Sequence, residues 1–254
     1  MERIDDDPVA LRDPRRVRFF EWIMARQVRA GFRALRVLRP SVPATDPARP
    51  LIVYANHPGW WDPAVFLCLH VARFGDRHAY GPMEAAALER YGFMKRIGMW
   101  GVAPGTRAGA ARFLRVGERV LSDPGRMIWM TAQGRFADPR ERPVALMGGL
   151  SALMGRTGAV ALPLALEYPF WSEKRPEALA AFGTIQEDPA GLAEALEGAM
   201  DRLAAAAVAR DPAPFDTVSR GAQGTGGVYG AWKRLHAMFR GERHDPAHLT
   251  DESR

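Results

Sequence analysis

The chain has one cysteine, Cys68, and three lysines among 254 residues, and it has no long uninterrupted apolar run. A single thiol excludes an internal disulfide framework and a metal site built on several thiolates, and it fits a reducing compartment. No stretch approaches the roughly 18 apolar residues of a membrane span. The opening MERIDDDPVALRDP lacks the basic-then-apolar order of a secretory signal. The expected location is therefore cytoplasmic, or peripheral on the inner face of a membrane. With so few lysines among 35 basic residues, arginine abundance reflects a bias of composition. By itself it is weak support for phosphate or nucleic acid.

The apolar share of 47% is enough to fill a core in a chain of this length. The basic excess is unevenly spread. Residues 14–40 hold eight arginines and one acid, Glu21, which is more than the net charge of +6 carried by the whole chain. On a wheel of about 100° per residue, Arg15, Arg18, Arg26, Arg29, Arg33 and Arg36 fall within roughly 80°. Val17, Phe20, Met24, Val28, Leu35 and Leu38 gather opposite, with Trp22 among the arginines and Phe19 at the border. Two readings stand: a basic amphipathic helix on an anionic membrane surface, or an ordinary surface helix with a solvated basic face. Because the charge is confined to this segment and no nucleic-acid module is visible, nucleic acid is not an expected partner.

After the Pro-rich RPSVPATDPARP, strand-like runs at 51–55, 78–81, 98–103, 126–132, 159–168 and 179–186 alternate with helical patterns. The helices are expected over 63–74, 83–91, 109–121, within 142–158, and over 189–209. This alternation predicts an α/β fold, a mostly parallel central sheet flanked by helices, preceded by the N-terminal amphipathic helix. Residues 211–227 read as a linker and 228–239 as a second short amphipathic helix.

The stretch LIVYANHPGWWDP, residues 51–63, carries the chemistry. A strand that stops at Pro58-Gly59 leaves His57 at the sheet's carboxyl edge, where open α/β sheets place ligands. The turn can return Asp62 to one imidazole nitrogen, fixing the tautomer and leaving the other nitrogen to take a proton from a hydroxyl. Asp62-Pro63 also reads as a helix start with aspartate as N-cap, and a carboxylate with two oxygens can serve both roles. The stretch offers no serine or cysteine nucleophile. Trp60 and Trp61 either line an acyl channel or pack in the core. Arg107, after Pro104-Gly105-Thr106, either binds phosphate with helix-terminal amides or solubilises a loop. Arg140 and Arg142 flank Glu141, which is expected to offset them, and Cys68 reads as a small buried hydrophobe. No metal site is expected.

The segment NHPGWWD, with Asn56, His57 and Asp62 in register, resembles the first block of the glycerolipid acyltransferase family. The likeness runs over roughly 50–187, through GMWGVAPGTR (98–107), TAQGRF (131–136) and VALPLALEY (160–168), in the family's order. It implies a catalytic domain over 46–210, between a membrane-associating helix and linker (1–45) and a flexible tail (211–254). It also implies direct transfer of a fatty acyl group from an acyl-CoA or acyl carrier protein thioester to a hydroxyl of a lysophospholipid or other membrane lipid, with no further cofactor. His57 would be the base and Asp62 its orienter, with Asn56, Arg107, Gln133, Gly134 and Arg135 binding the acceptor. Two departures stand out: Gln133 replaces the family's usual glutamate, and Arg135 arrives one position early. The first points to an acceptor other than lysophosphatidic acid. The alternatives are a lipid or thioester hydrolase using the same pair, and a noncatalytic basic protein that binds membrane or nucleic acid.

Overall fold

In a computed structural model that describes residues 6–221, the uniformly apolar runs lie at the centre of the sheet, where both faces are covered. Eight strands form it: β1 (Ala34–Leu38), β2 (Leu51–Ala55), β3 (His78–Glu84), β4 (Met99–Val102), β5 (Arg126–Thr131), β6 (Val160–Glu167), β7 (Ala178–Phe182) and β8 (Phe215–Arg220). Their spatial order is β4-β3-β5-β2-β6-β7-β1-β8. The first five in that order run parallel, β7 is antiparallel to β6, β1 runs parallel to β7, and β8 closes the far edge antiparallel to β1. The sheet is thus mixed and mostly parallel. β2 lies inside it, with Ala55 opposite Thr131 of β5 and Leu164 of β6.

The α-helices among the described residues are α1 (Pro8–Leu11), α2 (Pro14–Gly31), α3 (Asp62–Arg73), α4 (Ala85–Arg90), α5 (Arg107–Leu121), α6 (Gly149–Thr157) and α7 (Leu192–Ala209). Alternation along β2 sends Leu51, Val53 and Ala55 to one face, where Val28 and Phe32 at the end of α2 and Val65 and Leu69 of α3 meet them. Ile52 and Tyr54 face the other layer, built from Val116, Val120, Leu150, Leu153, Leu196 and Leu203 of α5, α6 and α7. No helix among the described residues is long and apolar enough to cross a membrane.

The N-terminal helix differs from the expected one. It starts as its sequence dictates, with the Asp13 carboxylate accepting from the amides of Arg15 and Arg16 and proline at the first turn. It stops at Gly31, and Phe32 is extended. Residues 34–38 form β1, entirely buried between β7 and β8. Arg33 and Arg36 therefore do not belong to the basic helical stripe; both are buried. Arg36 Nε donates to Glu177 Oε2 at 3.0 Å and its Nη1 donates to Thr217 Oγ1 at 3.0 Å. The helical wheel failed because ALRVL satisfies a strand equally well, and its neighbours come from 141 and 181 residues away.

The same strand revises the domain boundaries. The sheet takes in 34–38 and 215–220, so divisions after 45 and 210 cut across it. The expected linker at 211–227 contains β8, paired with β1 from Phe215 opposite Leu38 to Arg220 opposite Ala34. The helix expected at 228–239 lies outside the described residues.

His70 on α3 is buried edge-on to Trp129, with no partner for Nδ1. Burial, aided by the positive charge of Arg12, lowers its pKa from 6.5 to about 4. Between those values the unfolded chain binds the extra proton and the native protein does not, so stability falls as pH drops through that window, by roughly 3 kcal/mol in all. Urea unfolding at pH 7 and pH 4.5 should show this loss in the native chain and a smaller one in His70→Leu. Equal losses in the two would contradict the assignment.

Candidate active site

Pro58 has no amide hydrogen, so pairing along β2 must end there, and side chains take over the ladder on both sides. On the β6 side Asn56 Nδ2 donates to the Leu166 carbonyl at 3.0 Å and Oδ1 accepts from the Leu166 amide at 2.8 Å. On the β5 side Gln133 Oε1 accepts the His57 amide at 2.9 Å, and the Ala137 amide donates to the His57 carbonyl at 3.0 Å. The backbone of His57 is thereby held by the segment after β5, while its neighbour Asn56 pins the chain to β6.

His57 Nδ1 lies 2.5 Å from Asp62 Oδ2. The Asp62 side chain is completely buried, at the first turn of α3 where the helix dipole favours an anion. The Gly59 amide donates to the same oxygen at 3.3 Å, and Tyr168 Oη donates to Oδ1 at 2.5 Å. With Nδ1 turned to the carboxylate, Nε2 is the nitrogen left for a substrate proton. The ring is partly exposed and lies 4.3 Å, centroid to centroid, from the ring of Phe136. The N-cap reading of Asp62 does not hold: the cap position is Trp61, and the carboxylate points back to His57 instead of capping helix amides.

The other expected binding residues are placed differently. Asn56 and Gln133 were expected to meet the acceptor, yet Asn56 is buried with both amide atoms bonded to Leu166, and the Gln133 carbonyl accepts from His57. The Oε1 atom that holds His57 is one a glutamate would supply equally, so the presence of glutamine here points to no particular acceptor. Gly134 has φ 68°, and a Cβ there would lie 2.2 Å from Met147 Sδ, so the turn requires glycine. Arg135 is exposed and ion-paired with Glu141. Glu141 does not offset Arg140 and Arg142: Asp138 binds Arg140 at 2.7 Å and Asp201 of α7 binds Arg142 at 2.5 Å. Arg107 stands exposed at the start of α5, beyond β4. The strand that leads to it, β4, stands three places from β2 in the sheet, a separation of about 14 Å.

Trp61 is half-buried and packs edge-on against Phe32 at 5.0 Å. Gly31 leaves room for it, since a Cβ there would approach the indole to 2.9 Å. Trp61 thus joins the end of α2 to the site as core packing, whereas Trp60 is 70% exposed. Cys68 sits in α3 with its thiol pushed up to about 11 by burial, in keeping with a small hydrophobe. Among the described residues no group of three or more His, Cys, Asp or Glu side chains could hold a metal ion.

Tyr168 and Phe136 have no place in the sequence-based site. Each stands in a stretch that the sequence had singled out, 160–168 and 131–136. Their contacts with Asp62 and His57 depend on β6 and β5 lying on either side of β2, which no local pattern encodes.

A histidine–carboxylate pair, anchored from three adjacent parallel strands at their carboxyl ends, is what fold and site define. No family model and no curated protein matches the chain. Among solved structures it is similar to the 1-acyl-sn-glycerophosphate (LPA) acyltransferase, PlsC, from Thermotoga maritima, at 16% identity and a TM-score of 0.48, over 80% of this chain and 84% of that one. This likeness bears on neither the chemistry nor the substrate of the site.

Because Asn56 satisfies both backbone groups of Leu166, Asn56→Ala should lower unfolding free energy by about 2–6 kcal/mol, two unmet buried groups at 1–3 kcal/mol each. Chemical denaturation measures it. A loss below 0.5 kcal/mol would show that water replaces the amide.

Proposed function

We propose that the protein is an O-acyltransferase that moves a fatty acyl group from a thioester carrier, acyl-CoA or acyl carrier protein, to a hydroxyl of a membrane lipid. The observation that carries this reading is the 2.5 Å contact between His57 Nδ1 and the buried Asp62 carboxylate at the open edge of the sheet. In the proposed step, Nε2 takes the proton of the acceptor hydroxyl as its oxygen attacks the thioester carbonyl. The tetrahedral intermediate collapses with cleavage of the C–S bond, and the imidazolium returns its proton to the departing sulfur. Asp62 stabilises the imidazolium between these events. Direct transfer is supported by the partners of His57: among the described residues no serine, threonine or cysteine is bonded to it, and Cys68 is a poor nucleophile.

The purified protein should transfer acyl groups to at least one of a panel of lysophospholipids and long-chain lipid alcohols. His57→Ala should lower kcat about a hundredfold to ten-thousandfold with the fold intact by circular dichroism. Full activity in folded His57→Ala would sink the proposal. Release of free fatty acid at a rate indifferent to any acceptor would mark a hydrolase instead.

The membrane partner is part of the same reading. On α2, Phe19 and Trp22 are 62% and 55% exposed among exposed Arg15, Arg18, Arg26 and Arg29, while Val17 and Val28 face inward. Exposed aromatic rings among cations suit an interface of anionic headgroups. The double substitution Phe19→Ser and Trp22→Ser should reduce flotation with anionic vesicles several-fold without unfolding the protein. Unchanged flotation would assign α2 to solvent.

A further inference from the structure

We propose that Tyr168 is a positioning residue for the His57–Asp62 base, its phenol holding one carboxylate oxygen so that the other faces His57 Nδ1. The kinetic part rests on the acyl-transfer reading; the geometric part does not.

The Asp62 carboxylate meets three donors and no solvent. Oδ2 receives His57 Nδ1 and the Gly59 amide, and Oδ1 receives Tyr168 Oη at 2.5 Å. The torsion that turns a carboxylate is broad and two-fold, so a carboxylate held at one oxygen alone could swing away from the imidazole. A donor fixed at the second oxygen removes that freedom. The phenol is itself fixed, its ring packed on Phe32 at 5.3 Å, and Phe32 in turn meets Trp61 at 5.0 Å. Burial first, and then the negative charge of Asp62, push the Tyr168 hydroxyl well above its ordinary range, so it is a donor at every working pH. Among the described residues, Asp62 from α3 and Tyr168 after β6 are the titratable groups bonded into this cluster with His57.

The hold on Oδ1 bears on the charge as well. Without it the carboxylate turns part of the time away from Nδ1, and the imidazolium formed as His57 takes the proton is less well stabilised. Tyr168→Phe, which keeps the ring on Phe32, should therefore move the acid limb of the kcat/KM profile to lower pH by about half to one unit and lower its plateau about threefold to tenfold. A purely structural side chain would scale the whole profile without moving it.

Two readouts test this on the full chain. The first is the pH profile of acyl transfer by wild type and Tyr168→Phe. The second, independent of activity, is nitrogen NMR of the His57 ring across pH, with assignment by His57→Ala. Both should shift downward in Tyr168→Phe and stay at the wild-type position with 3-fluorotyrosine at 168, which keeps the donor and nearly the same shape. In Asp62→Asn the effect of Tyr168→Phe on the ring should vanish. An unchanged imidazole titration in folded Tyr168→Phe would overturn the inference. If wild type transfers no acyl group, the acyltransferase reading fails while the NMR still decides the role of Tyr168.

Discussion

A carboxylate withdrawn from water must have its charge met by the protein, because an unmatched buried ion costs several kcal/mol. At Asp62 that demand draws on three parts of the chain at once: the imidazole that ends β2, the amide of the Pro-Gly turn, and the phenol that follows β6. Each must arrive within hydrogen-bond distance, so the register of β2 against β6 is as much a part of the site as the two side chains that would do the chemistry. Asn56 maintains this register one residue before His57, completing the pairing of Leu166 where the backbone of β2 turns away.

The other side of the pair is governed by packing. Trp61, Phe32 and Tyr168 form a chain of ring contacts that begins at the last residue of α2 and ends on the carboxylate. Gly31 allows the closest approach, since any side chain there would displace Trp61. The helix with the most exposed aromatic surface is therefore seated on the same rings that hold the candidate base. Across the His57 ring, Phe136 covers one side and leaves the imidazole partly open at the edge.

The strand–helix alternation was plain in the sequence because central strands are apolar throughout and the helices keep their three-and-four spacing. Gly105, Gly134 and Gly158 mark left-handed turns. The nearness of His57 to Asp62 was also legible, since both lie within one turn of chain. What could not be read were partners far along the chain. Arg36 looked like one more exposed helical arginine because Glu177, 141 residues on, is invisible to a wheel. Asn56 and Gln133 looked like ligand-binding amides because their acceptors and donors are backbone groups on neighbouring strands. Tyr168 looked like the end of an apolar strand for the same reason.

The insertion of β1 between β7 and β8 makes the leading segment an interior member of the sheet. A protein trimmed to begin after residue 45, as one would trim a detachable anchor, would open a gap one strand wide. Two unpaired edges would face each other there, and Glu177 would lose its contact with Arg36. Such a truncate invites edge-to-edge aggregation. Because α2 runs directly into this interior strand, its surface can be altered only residue by residue and never by removing the whole segment.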